Sequence, residues 1–472
     1  MLVALLIYIA IILIIGFIAN KKGKTAKSFH GANLGVLMCV AAGAGEWMGG
    51  TSTTGVSEYG YLFGISGAWY TIANGLGIMV CAFFFAKLYR SLNTPTVPGI
   101  VGHYYGVKAR TVASALLILV MVAVGISQMI AIGTLGKTIF NIPIEWSIAV
   151  LGIIVILYTI FGGMLAVSYT NTLHLIVMYV GMAAAVIYCV ASMGGLNTTI
   201  KALPEGYSSF TNIGIPKIGS WVLASVLGAC TAQAGIQPIL AARDEKVAAK
   251  SAAIIALIVA PFGILTAVLG MIAKIRFPEL SSAKLALPQL LSTMPPVLAG
   301  LVTAALMAAV LSTASPIFLS CGTLFTRDIY LRFKPETKDK KELYVSRTVT
   351  GIAGTICIVA AIVFFNSSTV LDIVYFAYSI RGSLFIILLF GILAKNIKVP
   401  ETEVIVSMLL TACVGFIWVI YKHIIGSYPI SQSFSETYAT LCTAIICMVA
   451  IYIASSIRGT GNKSGLGGRE HG

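Results

Sequence analysis

The stretch AAGAGEWMGGTSTTGVSEYGY (41–61) lies between strongly apolar runs and so belongs to a membrane-crossing segment. It nevertheless carries Gly43, Gly45, Gly49, Gly50 and Gly55 and the carboxylate of Glu46. Glycine weakens a helix by about 1 kcal/mol relative to alanine, and an acidic group at bilayer depth costs roughly 3 kcal/mol or more. A lipid-facing helix has no use for either. The stretch reads as a helix that comes apart within the membrane, or as one packed closely on its neighbours through small residues.

The composition around it fixes the setting. Of 472 residues, 58% are hydrophobic and 10% charged, and the mean hydropathy of +0.96 lies far outside the range of soluble proteins. Apolar runs of about 20 residues, enough to cross a hydrocarbon core of roughly 30 Å, recur along the whole chain. We read about thirteen: near 2–19, 36–57, 65–88, 112–136, 146–163, 169–193, 219–240, 250–273, 296–325, 346–365, 369–393, 403–421 and 437–457. No soluble domain is expected between them. The first run lacks a basic start and a small-residue cleavage site before KKGK, so it is expected to remain as a span.

The net charge of +15 invites a nucleic-acid reading, which its distribution rejects. Of 31 Lys and Arg, 23 fall in 21–27, 87–110, 243–250, 327–347, 395–398 and 458–469, which thirteen spans place on one side. The positive-inside rule makes that side cytoplasmic, with the N-terminus outside and the C-terminus inside the cell membrane. The expected surroundings are lipid, with no nucleic acid and no obligate protein partner. Nine cysteines without a C-x-x-C pair and five histidines without ligand spacing give no sign of a transition-metal centre.

The seventh span repeats the anomaly of the second: GACTAQAGIQPIL (228–240) sets Gly228, Thr231, Gln233, Gly235, Gln237 and Pro238 where leucine would suit lipid. Paired interrupted spans in corresponding positions point to an inverted-repeat transporter, whose broken helices meet at mid-membrane. The expected fold class is therefore an all-α polytopic membrane protein with helices two and seven discontinuous. Its divisions would be a first helix and loop (1–30), two five-helix repeats (31–195 and 196–395), two peripheral helices (396–458) and a disordered tail (459–472).

In the ninth span, AALMAAVLSTASPIFLSCGTLFTRDIY (304–330), Ala309, Ser312 and Thr313 stand at i, i+3 and i+4, so one carbonyl and two hydroxyls share a helical face. Three neutral oxygens there begin a shell for a hard monovalent cation, which peptide carbonyls of a broken helix would complete. Alternatively, the hydroxyls bond back to their own preceding turn.

The ninth-span run, together with FGGMLAVSYTNTLHLIVMYVGM (161–182), GISGAWY (64–70), TVPGIVGHYYG (96–106) and QAGIQPILAARDEK (233–246), resembles the sodium:solute symporter family across residues 30 to 390. That family includes bacterial proline, sugar, sialic acid and pantothenate carriers and animal glucose and choline carriers. The resemblance implies a leucine-transporter-type 5+5 fold, Na+ as coupling ion and no enzymatic activity. It also implies a Na+ site made of the carbonyls of Gly45, Met48 and Ala309 and the hydroxyls of Ser312 and Thr313. Some relatives bind a second Na+ through an aspartate after the threonine at Thr170 and a hydroxyl one turn below the Ser-Thr pair. Asn171 and Pro316 stand at those positions here, so one Na+ per cycle is expected.

The solute would sit beside the ion, between the two breaks. Candidate contacts are Glu46, Trp47, Thr51, Asn74, Gln233, Tyr378 and Arg381. Arg381 could clamp a carboxylate with its planar fork, or it could pair with Glu46 or Asp372, or snorkel to the surface. Glu46 with Trp47 could instead hold an amine, or Glu46 could exchange a proton. EWMGG is similar to TWVGGG of the choline carriers, but Ala232 replaces their seventh-span tryptophan, which argues against choline. A membrane-embedded enzyme would need a catalytic cluster, and none is visible. A solute sensor retaining the carrier fold is the other alternative, although the short tail leaves no room for an output module.

Overall fold

The computed structural model describes residues 33–365, 370–394 and 396–464, together with residues 7, 8, 10–12 and 14. The named helices are α1 (Val36–Trp47), α2 (Val56–Phe63), α3 (Trp69–Val80), α4 (Val107–Phe140), α5 (Ile144–Ser192), α6 (Ile215–Ala229), α7 (Gln233–Leu240), α8 (Glu245–Arg276), α9 (Pro296–Leu324), α10 (Asp339–Phe364), α11 (Val370–Leu393), α12 (Glu401–Ile425) and α13 (Glu436–Ser464). They occupy every expected span from the second to the thirteenth, α5 carrying the fifth and sixth as Ile144–Ile160 and Val167–Ser192. Ten helices among the described residues are long and apolar enough to cross a membrane. Most of the first span, the loop at 21–27, the Asp372 side chain and the tail from 465 lie outside the described residues.

Local chemistry sets the boundaries. Asp244 caps α8 by accepting the Val247 N–H at 2.8 Å, and Lys274 and Arg276 close its last turn, matching the helix dipole at both ends. Backbone bonding to Val247 also holds the exposed Asp244 carboxyl below the usual range. Between α2 and the turn leading into α3, Gly64 adopts φ +73°, and a Cβ there would stand 2.5 Å from the Tyr207 Cα. Only glycine allows the loop after α5 to seat against this corner.

At the centre lies α9, almost wholly buried from Ala299 to Leu324. Its alanines at 304, 305, 308, 309 and 314 let neighbouring backbones approach closely, as where a Cβ at Gly181 of α5 would meet the Ala305 Cβ at 2.8 Å. α12 and α13 are peripheral, with exposed rows such as Val406, Leu409, Leu410 and Ile417 that suit lipid.

Both expected interruptions are present. α1 stops at Trp47, and after Met48–Gly50 the chain resumes as a π-helical turn, Thr51–Gly55, that runs into α2. α6 stops at Ala229, and α7 begins at Gln233 after a turn through Cys230–Ala232. Pro238 inside α7 lacks an N–H for the ladder, and its carbonyl accepts the Cys39 thiol of α1 at 3.2 Å. The broken helices touch: a Cβ at Gly43 would lie 3.9 Å from the Gly235 carbonyl oxygen, and one at Gly235 would meet Trp47 Nε1 at 2.5 Å.

Candidate ion and solute sites

The α1 ladder closes with the Met48 N–H donating to the Ala44 carbonyl at 3.0 Å. The next two carbonyls turn to α9. Gly45 O accepts from Ser312 Oγ and Thr313 Oγ1, each at 2.9 Å, and Glu46 O accepts from Thr313 Oγ1 at 2.8 Å. Ser312 Oγ also donates to Ala309 O at 3.0 Å. Two hydroxyl protons are thus shared among three carbonyls, leaving lone pairs in excess within a buried cluster. Ser312 and Thr313 are 0% and 2% exposed, so neither faces lipid.

This arrangement brings Gly45, Ala309, Ser312 and Thr313 together. Met48 is fully buried at the break itself, but no hydrogen bond ties its carbonyl to the hydroxyl pair; the Glu46 carbonyl takes that place among the described residues. The difference reflects where the ladder ends: its last N–H is that of Met48, immediately before the glycine pair, so the Gly45 and Glu46 carbonyls are the first it leaves for α9. Neutral oxygens alone suit a hard monovalent cation and offer nothing to a softer metal. Asn171 lies over the cluster, its Nδ2 donating to Ala42 O at 3.5 Å and Ser312 O at 3.3 Å. A Cβ on Gly45 would stand 2.5 Å from that amide nitrogen.

Beside the oxygens is a second group of buried polar atoms. Glu46 is 6% exposed and Arg381 1%, which removes the snorkelling alternative for the arginine. Arg381 Cζ lies 3.8 Å from the Tyr378 ring centroid and 5.3 Å from that of Trp47. Oε2 of Glu46, both polar atoms of the Asn74 amide, and Nε and Nη2 of Arg381 are buried without a hydrogen-bond partner. Nor does an ion pair join Glu46 to Arg381 among the described residues.

Thr51 reaches the same place through hydroxyls: its Oγ1 bonds the Tyr70 hydroxyl at 3.0 Å, which bonds that of Tyr378 at 3.2 Å. Tyr70, a residue the sequence reading missed, shares the α3 face of Asn74 at i, i+4. Thr231, in the α6–α7 turn, donates to the Arg381 carbonyl at 2.6 Å and ties the second break to α11. Gln233 lies elsewhere. Its Oε1 accepts the Val97 N–H at 2.8 Å and its Nε2 donates to Pro95 O at 3.4 Å, so its amide holds the start of the helix Val97–Tyr105. A buried helix start needs such an acceptor, which is why this glutamine presents no free amide to the Arg381 group.

From Trp47 a series of aromatic ring contacts continues. Tyr378 contacts Trp47 and Tyr70, Tyr375 contacts both tyrosines, and Trp221 stacks on Tyr375 with centroids 4.5 Å apart. Tyr59 packs on Trp221, and Lys217 Nζ lies 2.9 Å from the Tyr59 hydroxyl.

Two helices interrupted at mid-length, in contact with one another beside an intact helix that carries a hydroxyl pair, are the arrangement expected of a secondary carrier. The chain belongs to the sodium:solute symporter family, whose model matches residues 29–410. It is 28% identical to a sodium/glucose cotransporter of Vibrio parahaemolyticus over 75% of this chain and 73% of the relative. It is 26% identical to sodium/proline symporter 2 of Staphylococcus saprophyticus over 93% and 91%. Among solved structures, a Na+-coupled sialic acid symporter in a substrate-bound outward-open state superposes with a TM-score of 0.79 at 19% identity, covering 96% of this chain and 97% of that one. The likeness extends to MhsT in complex with L-phenylalanine, TM-score 0.57 at 14% identity, covering 90% and 99%. The fold is thus the leucine-transporter type, and family membership implies Na+ coupling.

Proposed function

We propose that the protein uses the Na+ gradient to import a small organic carboxylate or zwitterion by alternating access, one Na+ per cycle, with its basic loops and C-terminus cytoplasmic. In this reading Gly45, Glu46 and Ala309 carbonyls and the Ser312 and Thr313 hydroxyls receive the ion, with Met48 at the adjoining turn. Glu46, Trp47, Thr51, Asn74, Tyr378 and Arg381 receive the solute.

The observation that carries it is the bare edge of Arg381. Nε and Nη2 lie on the same edge of the guanidinium, spaced for the two oxygens of one carboxylate, while its Cζ rests over the Tyr378 ring. Leaving buried donors unpaired costs about 1–3 kcal/mol, more when charged, so a site that keeps them unpaired is built for a partner that arrives. The unpaired Oε2 of Glu46 favours a solute that also carries an amine, hence the zwitterion.

Purified protein in proteoliposomes tests this with labelled carboxylates, amino acids, sugars and amines, with and without an inward Na+ gradient. Uptake is expected for a carboxylate-bearing solute only with the gradient, and Arg381→Lys, which loses the fork, should weaken apparent solute affinity at least ten-fold. Equal uptake without Na+ refutes the coupling. Uptake of amines that is indifferent to Arg381→Lys transfers the solute to Glu46.

A further inference from the structure

Span four carries one amide inside an apolar run, Gln128 in VGISQMIAIG (124–133). It is fully buried and belongs to neither group above. Its Oε1 accepts the Gly50 N–H at 2.7 Å, and its Nε2 donates to Ser127 Oγ at 3.3 Å. A Cβ on Gly49 would stand 2.7 Å from the same Oε1 and would also collide with Thr313 Oγ1. Gln128 and Thr313 therefore converge on one residue of the break. The next turn of α4 reinforces the approach, since a Cβ on Gly50 would meet the Ala131 Cβ at 2.5 Å, with Val310 Cγ2 of α9 at 3.2 Å on the other side.

In an unbroken helix the Gly50 N–H would bond the Glu46 carbonyl four residues back. Here Gln128 takes the N–H and Thr313 faces the carbonyl. We propose that Gln128 is a positioning residue of the cation site: by diverting the Gly50 N–H it keeps the Glu46 carbonyl, and with it the Gly45 carbonyl, turned toward α9. Without that acceptor, the buried N–H is satisfied by re-forming its helical bond, which withdraws an oxygen from the ion. The proposal rests on the oxygen cluster being the Na+ site, as argued above.

Binding of 22Na+ to the detergent-purified full chain tests it, using wild type, Gln128→Asn, Gln128→Glu and Thr313→Ala, with size-exclusion profiles as the folding control. Gln128→Asn, too short to reach Gly50, should raise half-saturating Na+ about ten-fold and leave solute affinity at saturating Na+ unchanged. Gln128→Glu keeps an acceptor and should bind Na+ within three-fold of wild type or more tightly. Wild-type Na+ binding by Gln128→Asn, with binding lost in Thr313→Ala, overturns the role of Gln128 and leaves the site intact. Unaltered binding by Thr313→Ala removes the site, and the proposal with it. Should Gln128→Asn fail to fold, a ten-fold loss of Na+ affinity in a monodisperse Gln128→Glu protein is the overturning result.

Discussion

Thr313 has one hydroxyl proton and two carbonyls within 2.9 Å, so it cannot satisfy both fully. That deficit makes the cluster attractive to a cation, and it is removed with the side chain. Thr313→Ala should raise the Na+ concentration for half-maximal uptake at least ten-fold while the protein still inserts; an unchanged Na+ dependence places the ion elsewhere. Glu46 plays two parts from one residue, its carbonyl facing α9 and its carboxylate facing α7, where a Cβ on Gly235 would lie 2.8 Å from Oε2. Glu46→Gln retains the carbonyl. It should therefore leave Na+ affinity nearly intact and change solute affinity or its pH profile, measured by uptake at fixed saturating Na+.

Between helices, the glycines of the second span divide their duties. Gly43 and Gly45 are still helical, and they admit Ile255, Gly235 and Asn171 at close range, whereas Gly49 and Gly50 belong to the break. The two readings of the sequence, small-residue packing and loss of helix, are thus both correct at different positions a turn apart. Ser312 and Thr313 were legible because their i+3 and i+4 spacing from Ala309 puts two hydroxyls beside its carbonyl. Gln128 was not, since a single amide in an apolar run has no period and its partner lies 78 residues away. Gln233 misled for a related reason: a polar residue beside a break is equally suited to a solute or to a neighbouring helix start, and only the fold reveals Val97 next to it. The close contact of α1 with α7 gives its own prediction. Gly235→Ala drives a methyl group toward Trp47 Nε1 and should reduce uptake more than ten-fold with normal membrane insertion, as read by transport normalised to the amount of protein.

At the scale of the whole molecule, the proposed ion and solute groups meet in Glu46, through its carbonyl and its carboxylate, so binding at either should be felt at the other. Linkage makes that influence equal in both directions. Na+ should increase solute affinity by the same factor by which the solute increases Na+ affinity, and each alone should raise the melting temperature less than both together. Equal affinities with and without the other ligand, measured by calorimetry, would count against a shared site. The cytoplasmic face proposed for the basic loops carries a simpler expectation: cysteines introduced in 327–347 should react with a membrane-impermeant reagent only from the cytoplasmic side.

The column of rings from Trp47 to Trp221 also furnishes an optical probe. The chain has five tryptophans, and Trp146 is 67% exposed on the outer surface of the helices while Trp47 and Trp221 are nearly buried. Replacing Trp69, Trp146 and Trp418 by phenylalanine confines the emission to the two indoles that border the guanidinium and its aromatic neighbours. Quenching or a wavelength shift in such a protein would then follow occupancy in real time, without any attached dye.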